Sequence, residues 1–407
     1  MNIYILTEIT KREIDSNLLL AVKAASRGHN IIISNMNNFK SLIEKNLLKP
    51  GIFHTKSLVH DQKKRSFHEL IKKSKLVLTS LDEENGLVRD DLKPFVEMRF
   101  SKKDLDICDK VFCWGKHDYI SLKKKYPLHQ KKFVMTGSPR LDMWKSNFSQ
   151  YWNTKNQIKK KNILVTLNFA LINGFETVEK IFMKYQKSGY FDRNKNYKDE
   201  LNQYVKESHK ILTEYIKLIN NLISDFKGCN FIIRPHPREK ISFWKKKINS
   251  KKNVLISNSG NFNEELASAR LIIHNSSTTA FQAAINNVPI ISFVPLISKI
   301  SYGKISNKLG VICKNHREVK SNISKILKKK LKINDKKVQK IINYKLYNSG
   351  DLSTSKIINC WEELCKNMNT EEINYTKIKT QLFFVNKISD TKKFFYNLFS
   401  SKQENNK

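Results

Sequence analysis

No stretch of this 407-residue chain approaches the roughly 18 apolar residues needed to cross a bilayer. The best candidate, Val288–Ser298, is short and broken by Pro289 and Pro295, so no membrane span is expected. The first residues, Met1-Asn-Ile-Tyr-Ile-Leu-Thr-Glu8, lack a basic leader and a small-residue cleavage site. They read as a first β-strand and not as a signal peptide, which makes the cytoplasm the expected location. The six cysteines (Cys108, Cys113, Cys229, Cys313, Cys360 and Cys365) show no CxxC spacing and are expected to be reduced thiols. Acidic residues are few, 37 against 75 basic, for a net charge of +38. Glycine is scarce as well, while lysine, asparagine and isoleucine abound, a composition that AT-rich coding produces without selection for binding. Net charge speaks to non-specific association and not to fold. Its functional share would be attraction to anionic lipid headgroups and to phosphate-bearing substrates. No zinc spacing, RNP-type motif or coherent basic recognition helix accompanies the charge, so nucleic acid is not an expected partner.

The chain is too long for one ordinary core, and its 40% apolar content with 23 Phe and 14 Tyr suits well-packed interiors. Short Ile- and Val-rich runs recur between stretches of helical length. In the first half they are Asn2–Thr7, Asn30–Ser34, Leu76–Thr79, Lys110–Trp114 and Phe133–Thr136. In the second half they are Asn162–Thr166, Asn230–Arg234, Asn253–Ser257, Leu271–His274 and Pro289–Phe293. Runs apolar on both faces and alternating with helices indicate parallel sheets covered on both sides. The expected fold class is α/β, with two doubly wound Rossmann-like domains facing across a cleft and helices at the C-terminus. The boundaries are 1–150 for an acceptor-side domain, 160–330 for a nucleotide-donor domain and 331–407 for a basic helical extension. A polar linker is expected over Trp144–Lys161, and an inserted loop or helix-loop element at Gly174–Lys206. Lysines and aromatics mix from Thr376 to Ile388 and again at Phe394–Phe399. Two readings stand for this stretch: an interfacial helix in peripheral contact with the inner membrane, or a segment packed back across the domains and ending in a basic tail.

In open α/β sheets, ligands bind beyond the carboxyl ends of the strands, and the chemically interesting residues here follow strands. Glu8 follows the first. Asp82-Glu83-Glu84-Asn85-Gly86, Gly137-Ser138-Pro139-Arg140, Arg234-Pro235-His236-Pro237 and His274-Asn275-Ser276-Ser277-Thr278-Thr279 follow four others. The hydroxyl run Ser276–Thr279 leads into the helical pattern Ala280–Ile285, where free backbone N–H groups would meet a phosphate; ordinary N-capping is the plainer alternative. Two prolines bracket His236 and restrict the backbone on either side. With Arg234 and Arg238 close in sequence, it is placed to stabilise a leaving phosphate, unless it is incidental to a surface turn. Three successive carboxylates at Asp82–Glu84 would repel one another and raise the pKa of one, as a general base near neutral pH requires; a solvated acidic turn is the alternative. No histidine or second carboxylate cluster accompanies them to complete a metal site.

Taken in order, these motifs resemble the surface carbohydrate biosynthesis protein family of GT-B-like transferases. The resemblance runs through Glu8, Arg12-Glu13, Arg27-Gly28-His29, Asp82-Glu83-Glu84, Val111-Phe-Cys-Trp114-Gly115, Gly137–Asp142, Arg234–Pro237 and His274–Thr279, over roughly residues 1–315. The acidic motif followed by His-Pro is also similar to bacterial sialyl- and Kdo transferases, which use CMP-activated acidic sugars. The resemblance implies Glu84 as base on the acceptor hydroxyl, with Glu83 second, and His236 as the group on the nucleotide phosphate. It implies Arg234, His274, Ser276, Ser277, Thr278, Thr279 and Gln282 around the nucleotide, with Gln282 where many such enzymes carry a ribose-binding glutamate. Glu8, Arg12, Asp82 and Arg140 would line the acceptor side or cleft. The implied activity is metal-independent transfer of a sugar from a nucleotide-activated donor, CMP-linked in the closest analogy, to a surface polysaccharide or lipid-linked glycan. No cofactor is implied, since the nucleotide sugar is itself a substrate. The alternatives are a CDP-polyol phosphotransferase, a sugar-nucleotide epimerase of the same fold and a non-catalytic carbohydrate-binding scaffold.

Overall fold

The computed structural model describes residues 1–8, 10–84, 87, 89–145, 148, 151, 162–187, 189–193, 196–249, 251–260, 262–296, 303–328, 335–347 and 350–385. The chain divides into two compact units. The first comprises Met1–Asn85, Val96–Asp142 and Tyr347–Lys407; the second comprises Gly86–Phe95 and Met143–Leu346. Most of the expected linker, residues 146, 147, 149, 150 and 152–161, lies outside the described residues, as do Asn85, Gly86 and the aromatic run Phe394–Phe399.

The first unit holds six parallel strands: β1 (Asn2–Leu6), β2 (Asn30–Ser34), β3 (Gly51–Thr55), β4 (Val77–Leu81), β5 (Lys110–Cys113) and β6 (Phe133–Met135). Their order is β2-β1-β3-β4-β5-β6, which puts the reversal of winding between β1 and β3. Both faces are covered: β1 and β3 are buried along their whole lengths. β3 is absent from the strands read off the sequence, because Pro50-Gly51 looks like a turn and His54 looks polar. In the fold His54 is buried, its Nδ1 3.0 Å from Thr79 Oγ1.

The second unit repeats the plan with β7 (Asn162–Thr166), β8 (Asn230–Arg234), β9 (Val254–Ile256), β10 (Ala269–His274), β11 (Ile290–Phe293) and β12 (Val311–Cys313), all parallel. The order is β12-β11-β10-β7-β8-β9, the doubly wound arrangement with its switch point between β7 and β10. β12 has only three residues, too short for its periodicity to show. The helix Tyr197–Asp225 bridges β7 and β8. Its buried stripe, including Leu201, Ser208, Leu212, Tyr215, Ile219 and Leu222, recurs at three- and four-residue steps and packs on the sheet. The region Gly174–Lys206, expected as an inserted loop or helix-loop element, holds the helices Val178–Lys187 and Tyr190–Arg193 and the start of that long helix.

The C-terminal residues do not form a separate extension from 331 onward. After the helix Asp335–Lys345, which stays with the second unit, the chain returns to the first. There the helix Ser353–Leu364 packs on the helix Thr10–Ala25 and buries Trp361 completely. Residues 375–385 are helical, with Ile378 buried and Phe383 and Phe384 exposed. Among the described residues no helix is long and apolar enough to cross a membrane.

Candidate functional site

Three loops leave neighbouring strand ends at the switch point of the second sheet, and side chains tie them together. After β8, Pro235 and Pro237 hold His236 half-buried at the strand end. The His236 N–H donates to Glu239 Oε1 at 3.0 Å, and the Arg238 N–H donates to His236 Nδ1 at 3.2 Å. With Nδ1 accepting, the neutral ring carries its proton on Nε2. Glu239 was not singled out in the sequence, yet it organises this corner. Fully buried, it also accepts from the Phe169 N–H at 3.0 Å, the Trp244 indole at 2.8 Å and Asn173 at 3.4 Å. Burial raises its carboxyl pKa, and those donors oppose the shift. The Phe169 bond joins the β8 loop to the loop after β7. Asn168 Nδ2 donates to the Ser276 carbonyl at 3.4 Å, joining that loop in turn to the one after β10. The signal for Glu239 was an acid in an otherwise basic loop, three residues beyond the bracketed histidine.

Several residues expected on the nucleotide have other tasks. His274 is a correction: it is fully buried, bonds Ser292 Oγ through Nε2 at 2.9 Å and accepts the Ser277 N–H on Nδ1 at 3.4 Å. Burial pushes its pKa down to about 3, so it is a neutral support for the loop after β10. Arg234 is also committed. Its guanidinium pairs with Glu265, donates to the carbonyls of Ser259 (3.2 Å) and Gly260 (3.0 Å), and lies over the Phe262 ring. The hydroxyl run is partly self-satisfied: Ser277 Oγ meets Thr279 Oγ1 at 2.7 Å, and Thr279 Oγ1 meets Thr166 Oγ1 at 3.0 Å. Thr278 is exposed at the head of the two-turn helix Thr279–Ile285. Gln282 donates to Asn263 Oδ1 at 2.9 Å. Ser276 takes a left-handed backbone at φ 54° and gives its N–H to Asn307 Oδ1 at 2.8 Å. Gly303 (φ 79°) lies against it so closely that a Cβ there would fall 2.1 Å from Ser276 Cβ. Nothing near Ser276 in sequence announces Asn307 or Gly303.

In the first unit the residues after β1, β3 and β4 form ion pairs. Glu8 meets Lys56 and Lys64, each at 3.1 Å, and Lys56 meets the buried Glu13 at 2.8 Å. Burial pushes the Glu8 carboxyl upward, but Lys64 and Lys56 together outweigh it and leave it below the usual carboxylate range. Arg12 lies in the helix Thr10–Ala25, and its side chain is outside the described residues. Of the three carboxylates Asp82–Glu84, expected to raise the pKa of one member, Asp82 is raised. Asp82 is buried and receives Arg99 at 2.9 and 3.2 Å. Its pKa is raised chiefly by burial, with Arg99 opposing and Glu84 contributing least. Glu83 receives Arg140 on its carbonyl (3.0 Å) and carboxylate (3.4 Å), and Arg140 also lies over Trp114. Glu84 alone of the three is exposed, its N–H donating to Asp82 Oδ1 at 2.8 Å. Lys56, unremarked in the sequence, is the cation that draws Glu8 and Glu13 together. Among the described residues no group of three or more His, Cys, Asp or Glu is placed to hold a metal ion.

No protein-family model and no curated protein matches this chain. Solved structures do match. Against the UDP-GlcNAc 2-epimerase of Methanocaldococcus jannaschii the match covers 89% of this chain and 100% of that one, at TM-score 0.53 and 15% identity. Against S. aureus MnaA, solved as a UDP co-structure, it covers 91% and 98%, at TM-score 0.50 and 14% identity. Against the wall teichoic acid polymerase TagF soaked with CDPG it covers 91% and 90%, at TM-score 0.55 and 11% identity. At such identities the likeness is one of fold. The chain therefore shares with these proteins the architecture of two Rossmann-like α/β units with parallel sheets, the GT-B class.

Proposed function

We propose that this protein is a glycosyltransferase that moves a sugar from a nucleotide-activated donor to a hydroxyl of a surface polysaccharide or lipid-linked glycan. The observation that supports it is the joining of three strand-end loops at the second sheet's switch point, with His236 held there in one tautomer. The acceptor oxygen attacks the anomeric carbon, and the bond from that carbon to the phosphate oxygen breaks. Charge left on the nucleotide phosphate is met by the Nε2 proton of His236, with Thr278 at the helix head as a further donor. The motif resemblance assigns the acceptor's proton to Glu84, the exposed member of the first unit's carboxylate run. Arg234 and His274 act by positioning, not by touching phosphate. UDP in MnaA and CDPG in TagF lend support from proteins of the same fold.

A thermal-shift panel with CMP, CDP, UDP and GDP on wild type and His236→Ala tests this reading. A nucleotide that binds only the folded chain stabilises it by about 2.7 kcal/mol at a hundredfold excess over Kd. The expected result is a raised midpoint for one base class, diminished in the variant, and sugar transfer only when acceptor is present. Release of a free epimerised nucleotide sugar without acceptor would replace transfer by epimerisation. No response from wild type to any nucleotide would leave a non-catalytic scaffold.

A further inference from the structure

Between β5 and β6 of the first unit the chain forms the helix Lys116–Lys125 and the 3-10 helix Pro127–Lys132. Six of the 17 residues from Lys116 to Lys132 are lysine, and the single acid is Asp118. Asp118 is turned inward, where its carboxylate accepts the N–H groups of Trp114 (2.7 Å) and Gly115 (2.8 Å). Lys125 pairs with Glu97 at 2.7 Å, and Lys132 donates to the carbonyls of Leu105 (2.6 Å) and Asp106 (2.9 Å). Lys116, Lys124 and Lys131 are exposed and make no ion pair or side-chain hydrogen bond among the described residues. Two apolar side chains stand among these cations. Ile120 is 44% exposed, four residues from both Lys116 and Lys124 and so on their stripe of the helix. Leu128 is 86% exposed, more than any other large apolar residue described. Its neighbours are anchored: the Tyr126 hydroxyl donates to the Phe100 carbonyl at 2.5 Å, and His129 meets Asp106 at 2.6 Å. A fixed turn therefore presents Leu128 to solvent.

We propose that this face docks on an anionic lipid bilayer, with Leu128 and Ile120 entering the boundary between headgroups and acyl chains and the three unpaired lysines meeting lipid phosphates. A lone exposed leucine calls for no explanation. One held outward among unpaired lysines has the make-up of a surface that enters a headgroup layer. Charge complementarity gives the sign of the partner, and the aliphatic pair narrows its class. A nucleic-acid backbone would accept the lysines but offers Leu128 no apolar layer, and stacking on bases calls for free aromatic rings. The two rings of this stretch are half-buried and engaged, Tyr119 under Lys123 and Tyr126 on Phe100. Leu128 and Lys131 lie just before or at the amino end of β6, a strand of an all-parallel sheet, and so at the opposite edge from the loops after β1, β3 and β4. None of these residues belongs to the candidate site, so the proposal stands apart from the donor reading above.

Flotation of the full chain with phosphatidylcholine vesicles, with and without phosphatidylglycerol, at about 0.15 M NaCl provides the test. The expected result is binding to the anionic vesicles only. The triple variant Lys116→Glu/Lys124→Glu/Lys131→Glu should weaken it by about 100-fold, at about fivefold for each lysine removed. Lys245→Glu/Lys246→Glu/Lys247→Glu makes the same change of net charge at the exposed end of the helix Ile241–Lys247 in the second unit. That control should stay within a few-fold of wild type. Leu128→Ser should weaken binding about 10-fold, as loss of a partly inserted leucine would, with the melting temperature unchanged. Leu128→Trp should bind and be quenched by lipid brominated in its acyl chains beyond the wild-type background, which attraction by charge alone does not produce. Failure of wild type to bind anionic vesicles overturns the proposal. So do equal losses in the two triple variants, which would assign binding to overall charge, and full binding by Leu128→Ser without quenching in Leu128→Trp. Wild type that ignores vesicles but binds a single-stranded oligonucleotide through the same three lysines would give the face to nucleic acid instead.

Discussion

Burial pushes the imidazoles of His54 and His274 down to about 3, against 6.5 for an exposed ring. A depressed folded-state pKa means that the unfolded chain takes up the proton first as the pH falls. The contribution is complete above about 6.5 and is lost progressively toward 3. At about 1.36 kcal/mol per pH unit, each ring costs on the order of 2 kcal/mol at pH 5. Glu265, raised to about 7 by burial against the pull of Arg234, and Asp118, raised to about 6 by burial, run the other way. Their contributions are full below their unfolded values and decline as the pH rises through the folded ones, so they partly offset the histidines in acid. The His274 contribution is isolated by comparing wild type with His274→Asn in urea at pH 7 and pH 5. The variant is expected to lose about 2 kcal/mol less stability on acidification; an unchanged difference would show that this ring does not titrate on unfolding. At this scale the position of His236 just after a strand, between two prolines that restrict its backbone, was legible. The neutrality of His274 was not, since it depends on Ser292, 18 residues further on, and on complete burial.

Residues from two of the motifs that resembled a transferase signature hold a helix. The Asp142 carboxylate accepts the N–H groups of Ser353 (3.0 Å) and Thr354 (2.8 Å) and the Thr354 hydroxyl (2.7 Å), capping the helix Ser353–Leu364. Arg27 and His29 reach the far end of the same helix, at Glu362 (3.0 and 2.9 Å) and Asn359. Between them Trp361 donates to Thr79 Oγ1 at 3.0 Å and packs edge-on to His54. Gly137, at φ 81°, allows the close approach: a Cβ there would fall 2.2 Å from Ser353 Oγ and 2.7 Å from the Tyr347 carbonyl. Gly137→Ala is expected to cost roughly 2–4 kcal/mol, combining a strained backbone with a displaced helix. Hydrogen exchange should report that loss first in 353–364. Undisturbed protection there would mean that the helix docks independently of this turn. The strands were legible wherever an Ile/Val run was long enough to show its pattern. β3 and β12 were lost to a Pro-Gly start and to brevity.

Across the whole molecule 75 basic residues face 37 acidic ones, and like charges on a compact body repel. Raising NaCl from about 0.03 to about 0.3 M shortens the Debye length severalfold. The melting temperature is expected to rise by about 1–2 °C, equivalent to roughly 1 kcal/mol in a chain of this length. A fall would mean that ion pairs such as Lys56 with Glu8 and Glu13 outweigh the general repulsion.

The sequence by itself determined that there would be two parallel sheets and where their chemistry-bearing ends would fall. Both follow from local periodicity: a run apolar on two faces is a buried strand, and the polar residue after it lies at the carboxyl edge. Only the tertiary structure decided which of those residues are already engaged by other parts of the chain. Arg234 is spent on Glu265, His274 on Ser292 and Asp82 on Arg99, while the chain from Tyr347 returns to complete the first unit. Those outcomes depend on partners 17 to more than 300 positions apart, as in Asp82 with Arg99 and Arg27 with Glu362, and on the burial that their meeting creates, neither of which is written in any local pattern.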